Sequence, residues 1–285
     1  MMPNTLINGE YGESIHPSDR GFQYGDGLFE TILVESSRPC YLKEHFQRLQ
    51  KGCEVLGFPA VDVAILEREV LQLINTNQYG VIKLLISRGV GERGFLPPQN
   101  PDTTRVLSFV AAEEGVTKSL VSLDLILCHT QLSCQPLLAG IKHLNQLERV
   151  LARKELGDAA LSEGLMLDVN GIVIEGTMSN IFIVSNDVLM TPKLNNTGVL
   201  GVIRNYLIQQ ARKEGIDCRE VDLSLENLKN ADEIFMTNSL MPVRAIKRLK
   251  IGEVVFPKEV GAYASWALNT VLVDIQQQVD CQVAQ

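Results

Sequence analysis

Along the chain the spacing of hydrophobic positions switches between two periods, and each switch marks a change of element. From Leu42 to Gly57 the apolar residues Phe46, Leu49, Cys53 and Leu56 recur at steps of three and four, which predicts an amphipathic helix ended by Gly57 and Pro59. A second helix follows over Val63 to Ile74. Leu28 to Val34, Val81 to Ser87 and Arg105 to Ala111 read as strands, and Asn8-Gly9 after Leu6-Ile7 predicts a hairpin whose second arm runs through Ser14 and Ile15. In the second half the strands fall at Val121 to Cys128, Gly164 to Val169, Val173-Ile174, Asn180 to Val184, Val188 to Thr191, Ile216 to Val221 and Glu233 to Thr237. The helices fall at Asn145 to Leu156, Val202 to Lys213, Leu225 to Lys229 and about Lys258 to Gln277. Strands come in runs with helices interspersed irregularly, so the expected class is α+β rather than a doubly wound sheet. A short linker near Ala112 to Thr117 divides an N-terminal domain, residues 1–113, from a C-terminal domain, residues 114–285, and no internal repeat is visible.

Composition narrows the function classes. With 285 residues, 45% hydrophobic and 21% charged, the chain has enough apolar material for a sizeable core. A net charge of −8 and a pI near 5.1 argue against a broad basic surface for nucleic acid or anionic lipid, so an anionic ligand must be met locally. The six cysteines are scattered, without a Cys-x-x-Cys pair or a histidine spacing suited to zinc, and reduced thiols are expected. The start, Met-Met-Pro-Asn-Thr-Leu-Ile-Asn-Gly, has no basic region followed by an apolar run, and nowhere do about 18 apolar residues run together. These features predict a cytoplasmic protein with no membrane partner.

Candidate chemistry centres on Leu138-Ala139-Gly140-Ile141-Lys142-His143-Leu144-Asn145-Gln146-Leu147-Glu148. A lysine ammonium is strongly hydrated. Lys142, between Gly140, Ile141 and Leu144, is therefore either a surface lysine ahead of an ordinary helix or an amine freed by desolvation to add to an aldehyde. A pyridoxal phosphate cofactor on that lysine needs a group facing its ring nitrogen, a phosphate cradle and a substrate pocket. Glu175, at a strand end before Gly176 and Thr177, can face the ring nitrogen or stand in solvent as a turn residue. Gly201-Val202-Ile203 opens a helix whose N–H groups suit a phosphate. Thr237-Asn238-Ser239-Leu240-Met241-Pro242 offers further phosphate contacts or simply a turn, and Arg48 is a phosphate cation or a surface ion pair. Two glycine-rich loops, one through Tyr24 and one carrying Arg88 and Arg93, have the composition of site-lining loops.

Taken together, Glu175-Gly176-Thr177-Met178-Ser179-Asn180-Ile181-Phe182, Leu189-Met190-Thr191 and Val199-Leu200-Gly201-Val202-Ile203-Arg204 resemble, in order and spacing, the signature of the fold-type IV pyridoxal phosphate enzymes. The likeness extends to Phe22-Gln23-Tyr24-Gly25-Asp26-Gly27-Leu28-Phe29-Glu30-Thr31, to Glu44-His45-Phe46-Gln47-Arg48-Leu49 and to Ala231-Asp232-Glu233-Ile234-Phe235-Met236, and so spans nearly the whole chain. That family includes branched-chain aminotransferases, D-amino acid aminotransferases and aminodeoxychorismate lyases. The resemblance implies a smaller α/β N-terminal domain and a larger α/β C-terminal domain with the cofactor between them, in a homodimer. It implies that Lys142 carries pyridoxal 5′-phosphate and that Glu175 faces the ring nitrogen. Arg48, the Val202 and Ile203 amides and the Asn238-Ser239 turn would bind the phosphate.

Within the family the chain is most similar to the lyases, through Ala139 to Asn145, through Gly80 to Gly89 with Arg93-Gly94-Phe95, and through Asn238 to Val243. Five residues past the lysine, where many aminotransferases of the family place a tyrosine, stands Leu147. The implied reaction eliminates pyruvate from 4-amino-4-deoxychorismate to leave 4-aminobenzoate, on the route to folate. A substrate with two carboxylates calls for cations, and the candidates are Arg93 and Arg88, then Lys83, with Tyr24 beside them. Thr31 is a candidate for positioning a water or passing a proton to the departing group, or is simply a strand threonine suited to its element. An aminotransferase acting on D- or branched-chain amino acids is the alternative.

Overall fold

The computed structural model describes residues 4–74, 79–116, 118–157 and 162–281. The chain folds as two compact units, the first comprising Met1–Val116, Ile141–Asn145 and Ile275–Gln285, the second Thr117–Gly140 and Gln146–Asp274.

The first unit contains β1 (Thr5–Ile7), β2 (Glu10–Tyr11), α1 (Arg20–Tyr24), β3 (Gly27–Glu35), β4 (Arg38–Pro39), α2 (Leu42–Leu56), α3 (Val63–Ile74), β5 (Gly80–Ser87) and β6 (Thr104–Ala111). Its six strands form an antiparallel sheet in the order β2-β1-β6-β5-β3-β4. The Asn8-Gly9 hairpin forms as the sequence predicts, with φ of 52° and 88°, values that a tight two-residue turn requires. Its second arm ends at Tyr11, however, and does not reach Ser14 and Ile15. Of the stripe on α2, Phe46, Leu49 and Cys53 are buried and Leu56 is half-exposed. A Cβ at Gly52 would lie 2.8 Å from Leu28, so this glycine lets α2 approach the sheet closely. The glycine-rich stretch read as a loop contains α1, started by the Asp19 carboxylate, which accepts from the Gly21 N–H at 2.8 Å, and ended by Gly25 at φ 66°.

The second unit adds β7 (Val121–Leu127), α4 (Leu147–Leu156), β8 (Ser162–Leu167), β9 (Val173–Gly176), β10 (Asn180–Ser185), β11 (Val188–Pro192), α5 (Val202–Lys213), β12 (Cys218–Val221), α6 (Leu225–Asn230), β13 (Glu233–Thr237), β14 (Arg244–Ile251), β15 (Val254–Pro257) and α7 (Ala262–Cys281), whose residues from Ile275 on belong to the first unit. Its sheet runs β12-β11-β10-β13-β14-β7-β8-β9 with β15 on β14, and it is mixed: β11–β12, β14–β7 and β7–β8 are parallel, the other pairs antiparallel. One face carries a core of Leu125, Leu165, Ile181, Ile183, Ile234, Met236 and Ile246 among others, and Phe182 stacks on Phe235 at 5.1 Å. This is the mixed α+β architecture expected. Neither β14 nor β15 follows from the apolar pattern. Arg244, Lys247, Arg248 and Lys250 break the alternation of β14, and its register against β7 shifts between Ile246 and Arg248.

No described helix is long and apolar enough to cross a membrane. Cys40, Cys53, Cys128, Cys134 and Cys218 are free thiols. Burial pushes Cys53, on α2, up to about 11, and Cys128, just past β7, up to about 12.

Candidate active site

In the first unit β4 pairs only with Val34 and Glu35 at the end of β3, which leaves the first half of that strand an open edge. Residues 142–144 take it. The Phe29 N–H donates to the Lys142 carbonyl at 2.9 Å, the Leu144 N–H donates to the Gly27 carbonyl at 3.0 Å, and Leu28 faces His143 in an antiparallel bridge. Gly140, at φ +84°, makes the turn that leads into this segment, a conformation L side chains rarely adopt. The Lys142 ammonium lies 4.3 Å from the centroid of the Phe29 ring. Successive strand side chains alternate between faces, so Phe29 and Thr31 share one face, and Thr31 pairs across the sheet with Lys83. The Lys83 ammonium is 5.8 Å from the same Phe29 ring. Lys142 and Lys83 thus both approach the Phe29 ring, and Thr31 stands on the same face of β3.

Glu30 points to the other face, toward α2. Its carboxylate accepts from Arg48 Nε at 2.8 Å and from Arg48 Nη2, and it bonds His45 Nδ1 at 2.6 Å. Burial alone would raise the Glu30 pKa, but the Arg48 charge and hydrogen bond, with His45 adding to them, take it down to about 2. Arg48 is therefore held in one rotamer by an ionised carboxylate, with its guanidinium fixed rather than wandering in solvent. His45 is fully buried and its pKa is lowered. Burial is the main cause, Glu30 opposes it, and the positive charges of Arg48 and Lys142 add to it.

Arg88 follows directly on β5 and is packed into the fold. It is 4% exposed and its donors are committed within the fold: Nε to Asp26 at 2.8 Å, Nη1 to the Gly57 carbonyl at 3.1 Å and Nη2 to the Leu56 carbonyl at 2.7 Å, with the guanidinium stacked on Phe58 at 4.3 Å. It ties down the C-terminus of α2, so three of its five N–H donors are already bound within the fold. Arg93 is exposed. Its loop is held by Arg20, which donates to the Gly94 carbonyl at 2.9 Å and the Phe95 carbonyl at 3.0 Å, and by Tyr24, whose hydroxyl accepts from the Gly94 N–H at 3.2 Å and whose ring meets Phe95 edge-on. Tyr24 therefore shapes the loop that carries Arg93.

In the second unit the Glu175 side chain is buried at the end of β9. Oε2 accepts from the Val199 N–H at 2.9 Å and from Asn180 Nδ2 at 3.2 Å, and Oε1 accepts from Arg149 Nη2. Asn180 also donates to the Val199 carbonyl at 2.8 Å, which seats the segment leading into α5. Gly201 begins that helix with no side-chain cap, leaving the first N–H groups, at Val202 and Ile203, without a partner from the cap residue. A Cβ at Gly201 would lie 1.9 Å from Asn180 Oδ1, so only glycine fits there. Nearby in sequence to the other expected cradle, the Thr237 hydroxyl is buried with no hydrogen-bond partner among the described residues. The Asn238 side chain is spent on its own turn, accepting from the Leu240 and Met241 N–H groups at 2.9 and 2.6 Å and donating to the Met178 carbonyl at 3.2 Å. Ser239 follows it, half-buried. An uncapped helix start and an orphaned buried hydroxyl fit a phosphate, a buried carboxylate fits a protonated ring nitrogen, and the lysine of the first unit fits an aldehyde.

Sequence reasoning missed Glu30, His45, Arg149 and Asn180. A signal existed for Glu30, a carboxylate at a core-facing position between Leu28 and Ile32, which demands a buried cation. None existed for Arg149, one polar residue on an exposed-looking helix.

A model of the Amino-transferase class IV family matches residues 27–249. The structure of 4-amino-4-deoxychorismate lyase from Pseudomonas aeruginosa is 38% identical, superimposes with a TM-score of 0.85 and covers 95% of this chain and 99% of its own. An aminodeoxychorismate lyase from Vibrio harveyi is 32% identical over 249 residues, 87% of this chain and 92% of its own. A branched-chain-amino-acid aminotransferase from Escherichia coli (strain K12) is 30% identical over 260 residues, 84% of this chain and 82% of its own.

Proposed function

The chain belongs to the class IV aminotransferase family, and from that membership we propose that it is a pyridoxal 5′-phosphate-dependent 4-amino-4-deoxychorismate lyase, releasing pyruvate and 4-aminobenzoate for folate synthesis. The observation that carries the reading is the likeness to lyases along almost the entire chain, joined to a lysine fixed by backbone pairing against Phe29. Leu147, five residues past that lysine, has no phenol hydroxyl, in keeping with a lyase.

Lys142 would hold the cofactor aldehyde, Glu175 its ring nitrogen, and Arg48, the Val202 and Ile203 amides, Ser239 and the backbone of the Asn238 turn its phosphate. Bound there, the cofactor supplies an electron-withdrawing ring that stabilises negative charge at the substrate carbon bearing nitrogen. Lys142 Nζ takes the proton from C4 of the substrate. As that C–H pair becomes a ring double bond, the C3–O bond breaks and its pair leaves with the enolpyruvyl group, which ends as pyruvate. Thr31, which pairs across the sheet with Lys83, would pass a proton toward that group. Lys83 and Arg93 serve the two carboxylates, and Tyr24 sets the loop on which Arg93 stands. Three exposed apolar side chains on α4, Leu147, Val150 and Leu151, at helical spacing, support a homodimer, and the free cysteines accord with a cytoplasmic setting.

The test is holoenzyme supplied with 4-amino-4-deoxychorismate made in situ, followed by 4-aminobenzoate fluorescence and a coupled pyruvate assay. Equal amounts of both products, absent with Lys142→Ala, are expected. The likeness to the branched-chain aminotransferase keeps one rival in view. Conversion of the cofactor to its amine form by an amino donor, with no 4-aminobenzoate formed, would put that rival in its place.

A further inference from the structure

Glu175 does not hold its position alone, and one of its partners is a cation. The Val199 N–H and Asn180 Nδ2 fill Oε2, while Arg149, from α4, occupies Oε1. A carboxylate offers about four lone-pair directions, and this chain takes three of them. The direction that remains lies on Oε1, the oxygen already bound to a guanidinium. A protonated ring nitrogen reaching Glu175 must share that oxygen with a permanent positive charge. The Arg149 side chain is 15% exposed and that of Glu175 4%, so solvent screens the two cations from each other only weakly.

We propose that Arg149 is a positioning residue that acts through Glu175, loosening this carboxylate's hold on the protonated ring nitrogen of pyridoxal phosphate and so making the bound ring a weaker electron acceptor. The proposal rests on the reading of Glu175 as the ring-nitrogen partner. Its consequence falls unequally on the two reactions open to the family. In the elimination, the electron pair freed at C4 passes into the new C3–C4 double bond as the C3–O bond breaks, so less is asked of the cofactor ring than in a transamination. A transamination has no leaving group to take the pair, and so would draw more heavily on the electron-withdrawing character that the bound cofactor would supply. A weaker acceptor penalises the second course more than the first. Arg149 thus gives a residue-level reason for lyase chemistry on an aminotransferase scaffold.

The test titrates apoenzyme with pyridoxal phosphate, which needs no turnover, for wild type, Arg149→Gln, Arg149→Met and Arg149→Lys. Removing the charge leaves the carboxylate to the ring alone, so the Gln and Met variants should bind the cofactor about tenfold more tightly. Arg149→Lys keeps the charge and should stay within about threefold of wild type. In the loaded enzymes, the rate at which an amino donor converts the cofactor to its amine form should rise in the Gln and Met variants and not in the Lys variant. A residue that merely props Glu175 in place would give the reverse sign, and equal or weaker cofactor binding in both neutral variants overturns the proposal. Glu175→Gln separates the premise from the inference. Wild-type affinity and absorption in that variant would remove Glu175 from the ring nitrogen, and the role of Arg149 with it, while leaving the lyase assay above untouched.

Discussion

Glu30 shows what a single buried carboxylate does for the residues around it. Its folded pKa of about 2 lies below the ordinary value of 4.5, so between those pH values the unfolded chain binds the extra proton and the folded one does not. The stability Glu30 contributes is therefore complete above about pH 4.5 and is lost as pH falls toward about 2. His45, lowered in the folded state, acts in the same direction from below its ordinary 6.5, since acid protonates it more readily in the unfolded chain. Glu30→Gln should flatten the acid limb of a plot of melting temperature against pH. At neutral pH it should cost about 2 kcal/mol in urea unfolding, because the largely desolvated Arg48 guanidinium is left without its anion. Arg48 could be singled out in the sequence from its place beside the apolar stripe of α2. What holds it could not, since Glu30 is 18 residues away and the pair exists only once β3 lies under the helix. The same limit explains Arg88: a loop arginine in the sequence, it becomes the cap of a helix 31 residues earlier only through the fold.

The helices whose boundaries were legible are those that carry their own punctuation. α2 stops at Gly57 and α5 starts at Gly201, as the pattern predicts, because each signal lies within a turn of the element it ends. Arg88→Ala removes the donors that satisfy the last carbonyls of α2 and leaves Asp26 with Arg20 alone, and it should cost about 3 kcal/mol in urea unfolding. Gly201→Ala probes the other end of the problem. The new methyl would drive Asn180 away from Val199 and Glu175, so cofactor affinity should fall together with about 2 kcal/mol of stability, read by titration of the apoenzyme and by urea. β14 stayed illegible because it is specified by its neighbours β13, β7 and β15 rather than by its own alternation. The edge pairing that fixes Lys142 was illegible for a related reason: it joins residues more than a hundred positions apart.

At the scale of the molecule, the class of fold was legible because it depends on the order of elements, and that order survives errors at their ends. The surface of α4 carries the remaining prediction. Leu147, Val150 and Leu151 are 77%, 59% and 55% exposed, an apolar stripe that a homodimer would cover. For the homodimer proposed above, Leu151→Glu should shift the protein toward monomer in sedimentation velocity, reversibly with protein concentration. The buried thiols offer a different kind of handle. Alkylating reagents attack the thiolate, and with Cys53 and Cys128 displaced to about 11 and about 12 neither is reactive at neutral pH while its surroundings stay closed. One sits in each unit. The rate at which each cysteine-bearing peptide gains the mass of the reagent then reports the opening of its own unit, and a faster Cys53 would name the unit carrying Lys142 as the first to come apart.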